Sequence, residues 1–244
     1  MAGEVRVDEG FFGPETRSEG VVSEQTVLYV HGDPRLAGTP QDALPTAREL
    51  TRLTGQAVVC ARYRPHFPQA LDDVYAAWEY CHDRGPVAVV GKRLGGALAA
   101  GLLLRLRDAG APLPTCAVLT SPVLDFTLDA PSLLLNAVAD RTVDAEALPV
   151  RAAAYAGSTL RDDPLLSPLH GNLHGLPPVQ LHAAGTEVLL DDSLSFAIRA
   201  AHSGVAVDLR VYEDLSAQGL RQLGATASFL KAWHRSVSFT STDG

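Results

Sequence analysis

Val87–Arg107 reads VAVVGKRLGGALAAGLLLRLR. Val87–Val90 is a short, apolar, β-branched run of the kind a strand needs when both its faces are covered. Gly91, Gly95 and Gly96 then flank a tight turn, and from Gly95 to Arg107 the apolar residues recur at helical spacing. Strand, glycine-walled turn and helix make one half of a βαβ unit. The same alternation runs outward in both directions. Strands are expected at Gln25–Val30, Ala57–Arg62, Cys116–Ser121, Val179–Ala184 and Ala206–Tyr212. Helices are expected near Leu44–Leu53, Pro68–His82, Leu189–His202 and Leu220–Arg235. The pattern predicts an α/β fold: a mostly parallel sheet with helices on both faces.

Two segments break the alternation. Gly10, Gly13 and Pro14 around Phe11 and Phe12 read as a short edge strand and turn. Between Phe126 and Asp163, apolar helical stretches at Leu133–Val138 and Val150–Tyr155 replace a strand, so a small helical cap is expected as an insertion over about residues 127–162 of one domain spanning 1–244. The chain has 244 residues, 46% of them hydrophobic, enough for one sizeable core. A net charge of -8 argues against nucleic acid and anionic lipid as partners. The acidic opening and the absence of a long apolar run predict a cytoplasmic protein. Cys60, Cys81 and Cys116 are too widely spaced for a zinc pattern and are expected to be reduced and buried; no metal or cofactor is expected.

Several stretches, in order, resemble the bacterial hormone-sensitive-lipase-like esterases, a family of the α/β-hydrolase superfamily. VLYVHG at Val27–Gly32 is similar to that family's strand into a His-Gly-Gly-Gly oxyanion loop, and YRPHFPQALDD at Tyr63–Asp73 to its Tyr-Arg…Pro-Phe-Pro…Asp-Asp stretch. VGKRLGGALA at Val90–Ala99 lies where the family has Gly-Asp-Ser-Ala-Gly-Gly. SPVLD at Ser121–Asp125, DPLLSP at Asp163–Pro168, Leu176–Pro178 and EVLLDDS at Glu187–Ser193 follow in family order. The resemblance implies an α/β-hydrolase fold with the first βα turn as oxyanion loop and the Val90–Ala99 turn as nucleophile elbow. It also implies cap helices ahead of the first strand, for which the chain begins too close, and hence a more open pocket.

The departures from the family fall on its chemistry. Arg93 takes the serine's place, and a guanidinium has no lone pair with which to attack an acyl carbon. Thr186 takes the acid's place, with Glu187 one residue on as a stand-in, and Ala217 takes the histidine's, where Gln218 is no base. Asp33 and Pro34 replace two loop glycines; proline has no N–H to give, and a carboxylate there would repel an oxyanion. The N–H of Leu94 remains as an oxyanion donor.

These substitutions predict a triad-less hydrolase-fold protein that carries out non-hydrolytic chemistry, such as cyclisation, elimination or isomerisation, on a small apolar, acyl- or polyketide-like compound in bacterial secondary metabolism. In that scheme Arg93 stabilises negative charge, Asp33, paired with it, shuttles a proton, and Glu187 assists. His31, Gly32, Pro34, Leu94, His66, Leu134 and Val138 are the expected substrate-binding residues. The rival readings are a ligand-binding pseudo-esterase, a scaffold forming a homodimer through the strand near 206–212, and a residual carboxylesterase. The pair His170 and His174 lacks an accompanying acid pattern for a metal, and capping and the helix dipole account for Asp191 and Asp192 at the start of their helix.

Overall fold

A computed structural model describes residues 4–20, 25–33, 35–215 and 218–240, with side chains described as far as 234. Among these residues eight strands form one sheet, in the order β1-β2-β4-β3-β5-β6-β7-β8. β3 (Thr26–Val30), β4 (Ala57–Cys60), β5 (Val87–Lys92), β6 (Ala117–Thr120), β7 (Val179–Ala184) and β8 (Val207–Tyr212) are parallel. The opening segment is more than an edge strand: β1 (Val5–Gly10) and β2 (Gly13–Ser18) form a hairpin, and β2 joins β4 antiparallel. β1 alternates charged and apolar residues and stands at the sheet's margin, a pattern that discourages further pairing.

The helices cover both faces, as the alternation predicted. α1 (Pro40–Thr54) and α7 (Gly219–Thr240) lie on one, closing a core around Val27, Val58, Ala88, Val118 and Leu230. α2 (Gln69–His82), α3 (Leu94–Asp108) and α6 (Leu190–His202) lie on the other, over a larger core that includes Leu28, Val89, Leu102, Leu119 and Phe196. α1 starts where its sequence dictates. Thr39 and Asp42 form a reciprocal capping box around Pro40, satisfying N–H groups that the first turn cannot.

The 127–162 segment holds α4 (Ser132–Leu135), a single turn shorter than the expected Leu133–Val138 helix, and α5 (Leu148–Ala156). The three cysteines are free and buried. Among the described residues no helix is long and apolar enough to cross a membrane.

Candidate active site

The elbow is the turn from β5 into α3, with Arg93 at its tip at φ 53°, ψ −118°. A positive φ is costly for a residue with a β-carbon, and here the surroundings impose it. The Arg93 N–H donates to Thr120 O at 3.0 Å, and its carbonyl accepts from Gly96 N at 2.9 Å and Val123 N at 3.2 Å. The turn is walled by close approaches that only glycine permits. A β-carbon on Gly95 would lie 2.0 Å from Val30 O, and one on Gly32 would lie 2.4 Å from Lys92 O and 2.7 Å from Leu94 N. The His31–Gly32 loop is therefore pressed against the elbow, as in the strand–turn–helix arrangement that presents a nucleophile in esterases.

From that tip the Arg93 side chain runs inward and is 5% exposed. Nη2 donates to Glu187 Oε1 at 2.7 Å and to Thr142 Oγ1 at 3.0 Å, while Nε and Nη1 have no acceptor. Glu187 Oε2 accepts the Ser121 hydroxyl at 2.6 Å and the Ala184 N–H at 3.1 Å. Ser121, at the end of β6, is a second non-glycine residue with positive φ, 43°. These groups sit on the wall of a cavity of about 810 Å³, together with His31, Gly32 and Thr142. A buried ion pair of this kind leaves each charge dependent on the other, because neither can be solvated alone.

Other expected site residues lie elsewhere or act differently. Asp33 does not pair with Arg93. Its Oδ1 accepts Arg35 N at 2.7 Å and Ala37 N at 2.9 Å, and its own N–H donates to Ala37 O at 3.0 Å. A tight local turn thus consumes the groups that were to serve the pocket, and Glu187 is the partner of Arg93. Thr186 is exposed on the cavity wall, its hydroxyl directed to Glu213 O. Pro34 and the Ser216–Ala217 pair lie outside the described residues.

His66 is exposed and away from the cavity, and Leu94 buries its side chain in the core while its backbone nitrogen lies close against Gly32. Leu134 and Val138, at 83% and 96% exposure, face solvent instead of substrate. The reason is the anchoring of α4. Ser132 is buried with its hydroxyl on Val188 O, and Asn136 donates to Gly185 O and Glu187 O, so the leucines between them turn outward.

His31 stacks on Tyr63 at 4.5 Å, and the Tyr63 hydroxyl donates to the His31 carbonyl at 2.6 Å, fixing the loop. Burial lowers the His31 imidazole to about 4, so it is neutral near pH 7. Desolvation and the Arg93 charge lower the ammonium of the neighbouring Lys92, a residue that is exposed as a whole. His170 bonds to Asp125 at 3.0 Å, and the described residues hold no cluster of three or more metal-ligating side chains.

Asp191 and Asp192 stand in the first turn of α6, where the helix dipole favours acids, but they do not cap it: the N-cap is Leu189, which makes no side-chain cap hydrogen bond. Asp191 instead accepts Ser132 N, and Asp192 accepts Leu124 N at 2.6 Å and Asp125 N at 3.1 Å. Ser121, Asp140 and Thr142 are site residues that sequence reasoning missed. Ser121 ends a strand beside the elbow's own, the position from which a βα sheet directs side chains into its ligand crevice; nothing comparable marks the other two.

Residues 27–217 match the profile of a family described as alpha/beta hydrolase fold. The chain belongs to the α/β-hydrolase family. It is 33% identical to an acetyl-hydrolase of Streptomyces hygroscopicus over 199 residues, covering 78% of this chain and 67% of the relative. It is 32% identical to esterase LipI of Mycobacterium tuberculosis over 198 residues, covering 75% of this chain and 62% of that one. A solved structure of an esterase from the bacterial hormone-sensitive lipase family superposes with a TM-score of 0.88 at 29% identity, covering 96% of this chain and 86% of that chain.

For this α/β-hydrolase the comparisons correct the expected activity. The relatives carry the names of ester and acetyl hydrolases, and the superposed structures are esterases, so the reaction they point to is hydrolysis. The cyclising, eliminating or isomerising activity, the biosynthetic setting and the pseudo-hydrolase reading are overturned with them. The error lay in treating substitutions at the triad and oxyanion positions as a change of reaction class.

Proposed function

We propose that this chain hydrolyses carboxylic esters in the cavity beside the elbow, and that it does so without a serine–histidine–aspartate triad. Arg93 stands at the serine's place, Thr186 at the acid's and Ala217 at the histidine's. The arginine offers no nucleophilic lone pair, so the attacking group is water.

The observation that carries the reading is that the Arg93 guanidinium and the Ser121 hydroxyl converge on one buried carboxylate, Glu187, at the cavity wall. Water adds to the acyl carbon. One of its protons passes to Ser121 Oγ while the Ser121 proton passes to Glu187. The carbonyl oxygen takes negative charge beside Arg93 and the Leu94 N–H, which, as the first of helix α3, has no acceptor within its own helix. The tetrahedral adduct then expels the alkoxide, which leaves as the alcohol with the proton held by Glu187, and the acyl group departs as the acid.

Without a triad, turnover is expected on the order of 10³–10⁴ above the uncatalysed rate, the level that binding and oxyanion stabilisation reach alone. The names of the relatives support the ester as the substrate class.

The test is release of p-nitrophenol from the acetate and butyrate esters. Linear release with no burst is expected, lowered at least about tenfold by Ser121→Ala or Glu187→Gln. Release no faster than in buffer defeats the hydrolytic reading. A stoichiometric burst, or labelling of a serine by a fluorophosphonate, defeats the water route.

A further inference from the structure

Arg93 is gripped twice. One acceptor of Nη2 is Glu187; the other is the hydroxyl of Thr142, from the cap, at 3.0 Å. Thr142 is not a free acceptor. Its Oγ1 donates in turn to Asp140 Oδ1 at 2.7 Å, and the same oxygen accepts the N–H groups of Thr142 at 2.8 Å and Val143 at 3.1 Å. The second Asp140 oxygen accepts Val188 N at 3.0 Å, and Val188 follows Glu187 in the chain. A closed ring results: Arg93 to Thr142, Thr142 to Asp140, Asp140 to the backbone of the β7–α6 turn, and Glu187 of that turn back to Arg93.

Each link in the ring has a definite direction. Thr142 can accept from Arg93 with its lone pair only if its own proton goes elsewhere, and Asp140 is the group that takes it. Burial alone would raise the Asp140 carboxyl; its bonds from Thr142, Val188 and Val143 outweigh that and hold it below the ordinary carboxylate range. A carboxylate that is 8% exposed thus orients a hydroxyl, and the hydroxyl orients a guanidinium.

We infer that Asp140, acting through Thr142, is a positioning residue that holds the Arg93 guanidinium against Glu187 and makes its orientation depend on the seating of the cap. Its bearing on turnover rests on the ester-hydrolysis reading; its bearing on Arg93 does not. A purely structural anchor would fasten the cap to Val188 and leave the arginine's motion alone.

The experiment uses the full chain and three variants, Thr142→Val, Thr142→Ser and Asp140→Asn, with two readouts. The first is the ¹⁵N side-chain spectrum of Arg93, assigned by its loss in Arg93→Lys. Distinct, slowly exchanging Nη signals are expected in the parent and in Thr142→Ser, and their shift and averaging in Thr142→Val and Asp140→Asn. The second is p-nitrophenyl butyrate turnover, where kcat is expected to fall about tenfold in the same two variants with KM changed less than about twofold, and Thr142→Ser to restore it.

Unchanged Arg93 signals in Thr142→Val overturn the inference, as does a Thr142→Ser protein that behaves like the valine variant. Thr142→Val preserves the side chain's shape, so a cap that fails to fold in Asp140→Asn leaves the valine arm to decide. A parent without turnover defeats the hydrolytic reading and leaves the spectrum to judge the positioning.

Discussion

The elbow and the cap both contribute to the cavity wall, and they are held by different kinds of contact. At the elbow, backbone meets backbone: Gly95 lies under the Val30 carbonyl, and Gly32 lies against Leu94 N. Such approaches leave no room to adjust, because neither partner can rotate away. The cap is fastened by side chains, through Ser132, Asn136 and Asp140 to the β7–α6 turn, while Leu134, Leu135, Val138, Val150 and Leu160 face water. The difference sets what each region tolerates. The elbow should reject added atoms, and the cap should accept almost any change on its outer face while remaining sensitive at a few polar anchors.

The largest effect is expected at the elbow. Gly95→Ala places a methyl where the Val30 carbonyl stands, and should cost about 3 kcal/mol or more, read as a fall in the urea midpoint with loss of native structure. A variant as stable as the parent would erase the distinction between the two regions.

An intermediate effect, dependent on pH, is expected at the root of the cap. Asp192 is 3% exposed, and burial raises its carboxyl from 3.8 to about 7 despite the N–H groups of Leu124 and Asp125. Between those values the folded protein holds a proton that the unfolded chain releases, so this group's contribution to stability declines as pH rises from about 4 to about 7. The stability difference between parent and Asp192→Asn, measured by urea unfolding across that window, should therefore move against the parent by a few kcal/mol. A flat difference would mean that the backbone donors keep the carboxyl ionised throughout.

The smallest effect is expected on the cap's outer face. Leu134→Ser and Val138→Ser should shift stability by no more than about 0.5 kcal/mol and leave ester turnover unchanged. A drop in turnover would return these residues to the substrate-binding role that the sequence suggested for them.

Much of this architecture was legible in the residues, and the reason differs by region. Strand β7 coincides with the expected Val179–Ala184, and the other parallel strands fall within two residues at either end, because buried parallel strands are continuous apolar runs that few other elements imitate. The elbow was legible because its glycines are demanded by backbone contact. The cap was misread: apolar residues at helical spacing imply a buried face only if something covers it, and the anchoring of Ser132 and Asn136 decides otherwise for Leu134 and Val138.

The partner of Arg93 was misassigned for a similar reason. Asp33, in the loop expected beside the elbow, was favoured over Glu187, which lies 94 positions from Arg93 and which the fold brings to 2.7 Å. Asp33 was lost to its own turn, a local competition that aspartate wins whenever backbone N–H groups two and four residues on come within reach.

The placement of Arg93 also limits how this protein can be altered. Helix α3 begins at Leu94, so the guanidinium stems from the positive pole of a helix, an unfavourable address for a cation that Glu187 offsets. Restoring a hydroxyl at position 93 by itself would leave Glu187 as a buried anion without its ion-pair partner in the cavity wall. Positions 93 and 187 are thus tied as a single unit of change, and any engineering of this fold toward a conventional acyl-transfer site has to cross that step with both residues together.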